Sequence, residues 1–312
     1  MKMKQLWVMG AVAVSVAMVS CKKDQAPITY PTPSGNTSSL GSFLDAQAPQ
    51  MQFFTLNAST GGVVTGQNGT ILNVAPNSFM IPGGSVVSGN VTIQMKEVLS
   101  KEDMLFSGKM PVASNGQMLI SGGEIFLKAF QGSTELQLVP NAQVFLSVPS
   151  SAPSGSMMEF YSDDTDTSSW NLTDSTNLTT TWDSTSNNAY YYFQIDSMNW
   201  INCDYFMSSG PLTGVEAEVG TDYDPSNCVL FISFDGINSI TSLYNYSNHV
   251  YSTGSYYQLP IGMNVTFIAI SEINGNYYSA FQSATIGVNH HEMLTLSATT
   301  HAQILTDISN LP

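Results

Sequence analysis

Four kinds of side chain in this 312-residue sequence have the chemistry to form a site: thiols, clustered carboxylates, adjacent imidazoles and closely spaced tyrosines. Apart from Cys21, the only thiols are Cys203 and Cys228. In an oxidising compartment, two cysteines on neighbouring strands can form a disulfide. The alternative is a pair of buried thiols acting as small apolar residues, and the sequence leaves both open because it does not fix their separation. Asp163, Asp164 and Asp166 share one polar stretch, and Asp222 with Asp224 forms a second cluster. Calcium takes about six to eight oxygens, which aspartates, hydroxyls and loop carbonyls can supply. Neither cluster is an EF-hand, since the run from Asp164 has no Gly at its sixth place and no Glu at its twelfth. The competing reading of both is a solvated acidic loop.

His290-His291-Glu292 invites a metal, but neighbours on a strand point to opposite faces, so the two imidazoles should diverge. Tyr244, Tyr246, Tyr256 and Tyr257, with Tyr251, Tyr277 and Tyr278 close by, could offer ring faces to a sugar beside hydrogen-bonding Asp and Asn side chains. Tyrosine also fills half-buried strand positions with no ligand at all. No Gly-x-Ser-x-Gly elbow, HExxH, phosphate loop or dinucleotide fingerprint occurs. With no nucleophile, base and orienting group to assemble, a non-catalytic protein without a cofactor is expected.

Charge narrows the field further. The formal net charge is −15, Arg is absent, and no Lys follows Lys128. Nucleic-acid binding needs cations along phosphates, and the C-terminal part has none. Forked recognition of phosphate or carboxylate by Arg is excluded throughout. An acidic surface is not drawn to anionic lipid either.

The elements that must position these groups begin with an address. Lys2 and Lys4 precede an uncharged apolar run from Leu6 to Val19, which ends in Met18-Val19-Ser20-Cys21. Charge, length and small-residue exit describe a secretory signal over residues 1–20. The run is too short for a mature membrane span. The Cys at its exit resembles a bacterial lipobox, which implies lipidation of Cys21 and a membrane anchor there. Lys22-Lys23-Asp24 resembles the start of outer-membrane lipoproteins, and the sequence leaves open whether the body faces the periplasm or the medium. Residues 21–50, rich in Pro, Ser, Thr and Gly, read as a flexible tether, with a helical turn near Ser42–Ala48 as a variant.

From Met51 onward, short alternating strands lie between turn residues. Val91, Ile93 and Met95 share one face, and Gln131-Gly132-Ser133 and Asn274-Gly275-Asn276 are hairpin turns. Thr300-x-x-Gln303 caps a terminal helix with Ile304, Leu305 and Ile308 as its apolar stripe. The expected fold is all-β: two antiparallel β-sandwich modules, at most three, with long polar hairpin loops and a short C-terminal helix. The first module covers 51–210 with a Ser/Thr/Asp-rich hairpin extension, and the second, of immunoglobulin or fibronectin type, covers 211–312.

Asn68-Gly69-Thr70-Ile71, Val74-Ala75-Pro76-Asn77-Ser78-Phe79, Gly89-x-Val91, Asp103-Met104 with Gly108, and Gly116 before Gly122-Gly123 come in a telling order. The run resembles a family of bacterial outer-membrane lipoproteins whose first domain is similar to the β-sandwich of ankyrins and netrin receptors. Met157-x-x-Phe160, Trp170 and the stretch Asn199 to Phe206 are similar to that family's middle region, except that Asn199 and Tyr205 replace its usual Gly and Arg. The resemblance spans Gly61 to Phe206, implies a sandwich, and brings no activity with it. The expectation is therefore an anchored lipoprotein with a structural, adhesive or interaction role at the cell envelope, meeting a protein or glycan partner. The alternative is a carbohydrate-binding accessory lipoprotein.

Overall fold

Alternation of apolar and polar residues dictates most of the architecture. The computed structural model describes residues 39–151, 153–163, 169–173, 178–183, 188–207 and 210–312. Val91, Ile93 and Met95 turn inward from the Asn90–Val98 strand, and Ile125, Leu127 and Ala129 do so from Leu119–Gln131. These strands lie in an eight-stranded sheet with the order Gln52–Asn57, Asn90–Val98, Leu119–Gln131, Trp200–Phe206, Met158–Ser162, Asn171–Leu172. Phe79–Met80 and Thr134–Leu138 attach beside that path. A five-stranded sheet, Thr179–Asp183, Asn188–Gln194, Val144–Ser150, Ile71–Val74, Gly62–Thr65, stacks against it. Leu72, Leu146, Tyr191, Phe193 and Ile201 help fill the space between.

One buried carboxylate staples these two sheets. Glu97, 1% exposed, accepts from Gln52 Nε2 (2.9 Å), Asn68 N (2.9 Å) and Thr70 N (2.9 Å). The Asn68-Gly69-Thr70 turn is thereby held to the neighbouring sheet. A Cβ on Gly66 would stand 2.6 Å from the Glu97 carboxylate, so the approach requires glycine there.

The second set of strands spans residues 212–299. A five-stranded sheet, Ile240–Ser242, Cys228–Phe234, Asn264–Ile273, Asn276–Thr285, Ser297–Thr299, faces a four-stranded one, Asn245–Ser247, Val250–Ser252, Val215–Glu218, His290–Met293. Among the described residues every ladder between strands is antiparallel except that of Val215–Glu218 with His290–Met293. Those strands open and nearly close the set, and a parallel pair needs such a long connection. Asn274 and Gly275, both at positive φ (53° and 81°), make the tight turn between the two longest strands of this set.

Three short helices complete the chain: α1 (Ser39–Gln47), α2 (Lys101–Ser107) and α3 (His301–Ser309). The first corrects the expectation of a tether running to residue 50. Leu40 and Phe43, one helical turn apart, are buried, and the Phe43 ring stacks on His301 (4.6 Å) beside Tyr277 (5.6 Å) and Phe106 (6.3 Å). α2 was not expected, although its signals are present. Ser100 Oγ accepts from Asp103 N (3.1 Å), Asp103 Oδ2 accepts from Ser100 N (3.0 Å), and Gly108 ends the helix at φ 67°. In α3, Thr300 Oγ1 caps Gln303 N (3.2 Å), but the Gln303 amide turns to Asp307 and leaves the box half made.

The two sets of strands share one core. Val98, Met104, Leu119, Phe126, Trp170 and Trp200 from the first pack in the same cluster as Phe234, Ile240, Tyr257 and Val265 from the second. Hydrogen bonds fix the register of this seam. Ser121 N donates to Asn238 O (2.9 Å), and Asn238 Nδ2 donates to Ser121 O and Leu99 O (both 3.0 Å). Ser239 Oγ donates to Leu119 O (2.7 Å), and Lys101 Nζ donates to Phe234 O (3.0 Å). A Cβ on Gly116 would lie 2.2 Å from Tyr256 O, so the backbones meet at contact distance.

Glu97→Ala should lower the unfolding free energy by about 2–4 kcal/mol, because it strands buried backbone donors. Urea titration reads this directly, with Glu135→Ala as the control, an exposed partner of Lys128 worth at most about 1 kcal/mol. Equal losses in the two variants would show that the Glu97 staple carries no load.

Candidate functional site

The densest concentration of titratable groups lies under the seam, and a bulge creates it. Asn202 faces Glu124, but Asp204 faces Ser121, so Gly122 and Gly123 together oppose Cys203. Gly123 has φ 136°, and a Cβ on Gly122 would stand 2.6 Å from Tyr191 and 2.7 Å from Cys203 O. Only glycine fits this fold of the strand. Cys203 stays with the first sandwich core, while Glu124, Asn202 and Asp204 face the seam.

Three polar side chains beside the bulge, Ser121, Asn202 and Asp204, are linked. Asn202 Nδ2 donates to Asp204 Oδ2 (2.6 Å), and Ser121 Oγ donates to Asn202 Oδ1 (3.4 Å) while accepting from Gly123 N (3.1 Å). Glu124 is fully buried, and among the described residues neither of its oxygens has a hydrogen-bond partner. Lys109, 1% exposed, donates from Nζ to Ser162 Oγ (3.0 Å) and lies 4.1 Å from the Trp170 ring centre and 5.5 Å from that of Trp200. Two indole faces thus supply much of what water would give this ammonium. Trp170 itself is held by Nε1 donating to Met110 O (3.1 Å) and by backbone bonds to Val112 and Ser114.

Burial pushes the Glu124 carboxyl well above the usual range; the neighbouring Asp204 adds to this and Lys109 offsets part of it. Burial likewise raises Asp204 to about 8 against donors from Ser121, Asn202 and the Gly122 amide. Asp204 is therefore largely protonated at neutral pH. An acid–base centre must touch a substrate. This one is sealed, with Glu124, Asn202 and Asp204 at 0% exposure. Its polar groups serve the packing of the seam, with Lys109 held between indoles and Asp204 bonded to Asn202.

The residues anticipated as sites fall elsewhere. Cys21, Asp164 and Asp166 lie outside the described residues, and Asp163 is exposed. The disulfide is not formed: Cys203 sits in the first sandwich core, Cys228 sits in the core shared across the seam, and both are buried thiols. Burial raises both thiol pKa values, so neither is a ready nucleophile. Asp224 caps its own loop, accepting from Ser226 N (2.8 Å), and the Asp222 carbonyl accepts from Asn227 Nδ2 (3.0 Å). Among the described residues, no group of three or more His, Cys, Asp or Glu is arranged to hold a metal ion.

The tyrosines proposed for sugar contact are spent on packing. Tyr257 is 2% exposed and donates to Ser242 O. Half-buried Tyr244 and Tyr256 flank it at 5.9 and 6.3 Å, and Tyr256 Oη donates to Ala113 O (3.4 Å) across the seam. Tyr246 packs on Tyr251 (4.9 Å). The histidine pair diverges. His290 turns inward, stacked on Phe267 (5.4 Å), with Gly287 N donating to its Nδ1 (3.1 Å) and Glu292 beside its Nε2 (3.0 Å). His291 turns outward between Glu216 (3.2 Å) and Glu218 (3.1 Å), and the Glu216 hydrogen bond leads in raising its pKa. A surface cleft of about 440 Å³ beside Glu216, Ser252 and His290 holds no nucleophile–base pair, because His290 is committed to Gly287 and Glu292. No known protein family matches the chain, and no curated protein is significantly similar to it.

The pH dependence of stability follows from the cluster. Asp204 keeps its proton up to about 8 when folded but loses it near 3.8 when unfolded. Its contribution is complete below the lower value and is lost as pH rises toward the upper one, at no more than about 1.4 kcal/mol per pH unit. Urea midpoints should therefore fall between pH 5 and 8, and Asp204→Asn should flatten that slope by close to one proton. Parallel profiles for the two proteins would refute a protonated Asp204.

Proposed function

We propose that the protein is a lipid-anchored lipoprotein of the outer membrane which acts by display and contact, holding one rigid acidic β-body at the cell envelope. The observation that carries this reading is the sealing of the Lys109–Glu124–Asp204 cluster. The buried titratable groups beside the bulge are withdrawn from any substrate, Asp224 serves a turn, and the tyrosines expected to bind sugar serve packing. The docking of α1 fits the same role. Leu40 and Phe43 seat α1 beside α2 and α3, so the chain enters the body at its seam. The Cys21 exit motif and its Lys22-Lys23 flank support the anchor and the outer membrane as its place. The acidic surface supports lipid, rather than charge, as the attachment.

Growing cells on a labelled fatty acid tests this. Wild type should carry label and fractionate with the outer membrane, whereas Cys21→Ala should carry none and leave the membrane. Equal label in both proteins would contradict the anchor.

A further inference from the structure

One broad surface of the first sandwich has no part in either core. It is the outer face of the five-stranded sheet, and the strand registers line it up in rows. Thr179, Tyr192, Ser147, Ile71 and Thr65 lie across all five strands in one row. Gln194, Phe145, Asn73 and Val63 form a second. Five strands about 4.8 Å apart make a row about 19 Å wide. Tyr192 and Phe145 stack near its centre, 5.3 Å apart with planes 4° from parallel. Neither ring belongs to a hydrophobic core cluster, and Val63 is 63% exposed.

Charge is what sets this face apart. The chain carries −15, yet both rows are uncharged, and the one charged residue with the same inside–outside parity, Asp183, stands at the end of the edge strand. The described lysines, Lys96, Lys101, Lys109 and Lys128, belong to the other sheet or to the seam. An anionic ligand finds no counter-charge here, and a cation has stronger attractions elsewhere on the molecule. A peptide adding as a strand needs a free sheet edge, which a face of paired strands lacks. What fits is an uncharged ligand with apolar C–H surfaces for the rings and hydroxyls for Asn73, Thr65 and Thr181.

We propose that the outer face of the five-stranded sheet binds an uncharged polysaccharide. This names a partner for the displayed body and rests on that reading. It also moves the sugar site from the tyrosines of the second strand set, which are packed, to the first. The chain lies across the strands along a row, with the Tyr192–Phe145 pair beneath a sugar ring. Thr181 lies beside it on the exposed edge strand Thr179–Asp183.

Native affinity gels of the full-length protein in detergent test this, cast with xylan, mannan or a neutral β-glucan, and with polygalacturonate as the acidic control. At least one neutral polysaccharide should retard wild type while polygalacturonate does not. Thr181→Glu, a surface change on an exposed strand, should raise the dissociation constant about tenfold or more, as should Tyr192→Ala. Melting curves of both variants guard against a loss of fold. No retardation by any neutral polysaccharide would overturn the proposal, as would unaltered binding by Thr181→Glu. A dimer that Thr181→Glu dissolves, seen by sedimentation in the absence of polysaccharide, would assign the face to a second copy instead. Fatty-acid labelling of the same preparation keeps failure of the sugar site distinct from failure of the anchor.

Discussion

The middle of the eight-stranded sheet cannot face water on either side, and the rest of the structure follows from that. Residues 123–127 of the Leu119–Gln131 strand and 200–204 of its neighbour are buried without a break. Their inner side chains belong to the first sandwich. Their outer ones, Phe126 and Trp200, pack on each other at a tilt (5.2 Å, 58°) and need a second cover. Each large apolar side chain left in water there would cost about 1.5–3 kcal/mol. α2, the Trp170 segment and the second set of strands supply the cover, and the core is continuous across them.

That burial has a cost, since it traps charge and polarity with the aromatics. A buried Lys beside carboxyls is stable only if its partners are well placed, and removing one partner of such a set is far worse than never having built it. The molecule handles this in two ways. Lys109 is wrapped by indole rings and a hydroxyl, and Asp204 takes up a proton rather than a charge. The Gly122-Gly123 bulge is the geometric device that brings Glu124, Asn202 and Asp204 together on the seam side. The same bulge offers the Ser121 backbone to Asn238, so the cluster and the seam are held by one kink.

Much of the strand pattern was legible because it is local. The alternation of Val91, Ile93 and Met95, the Asn274-Gly275 turn and the Thr300 cap each depend on a few neighbouring residues, and each stands in the structure. The polar cluster was not legible, since Lys109, Glu124, Ser162 and Asn202 come from four separate stretches that only the sheet order joins. Trp170 lies in a Ser/Thr/Asp-rich stretch with no apolar period around it, yet it is fully buried. α1 was legible only as a variant helical turn near Ser42–Ala48, because Leu40 and Phe43 lie among residues of tether composition and the partner they bury against lies at the other end of the chain. The tyrosines misled for the opposite reason: their spacing is equally good for stacking on a sugar and for packing on each other, and the second prevails. The Tyr192–Phe145 face needed the register of five strands before its lack of charge could be seen.

The account stands or falls on the two sandwiches being one body. Scanning calorimetry of the full-length protein in detergent measures this most directly, compared with Gly116→Ala, whose added methyl would strike Tyr256 O at the seam. A shared core predicts one cooperative transition in wild type and its displacement as a whole to lower temperature in the variant. Two separate transitions in wild type, with neither moved by Gly116→Ala, would contradict it.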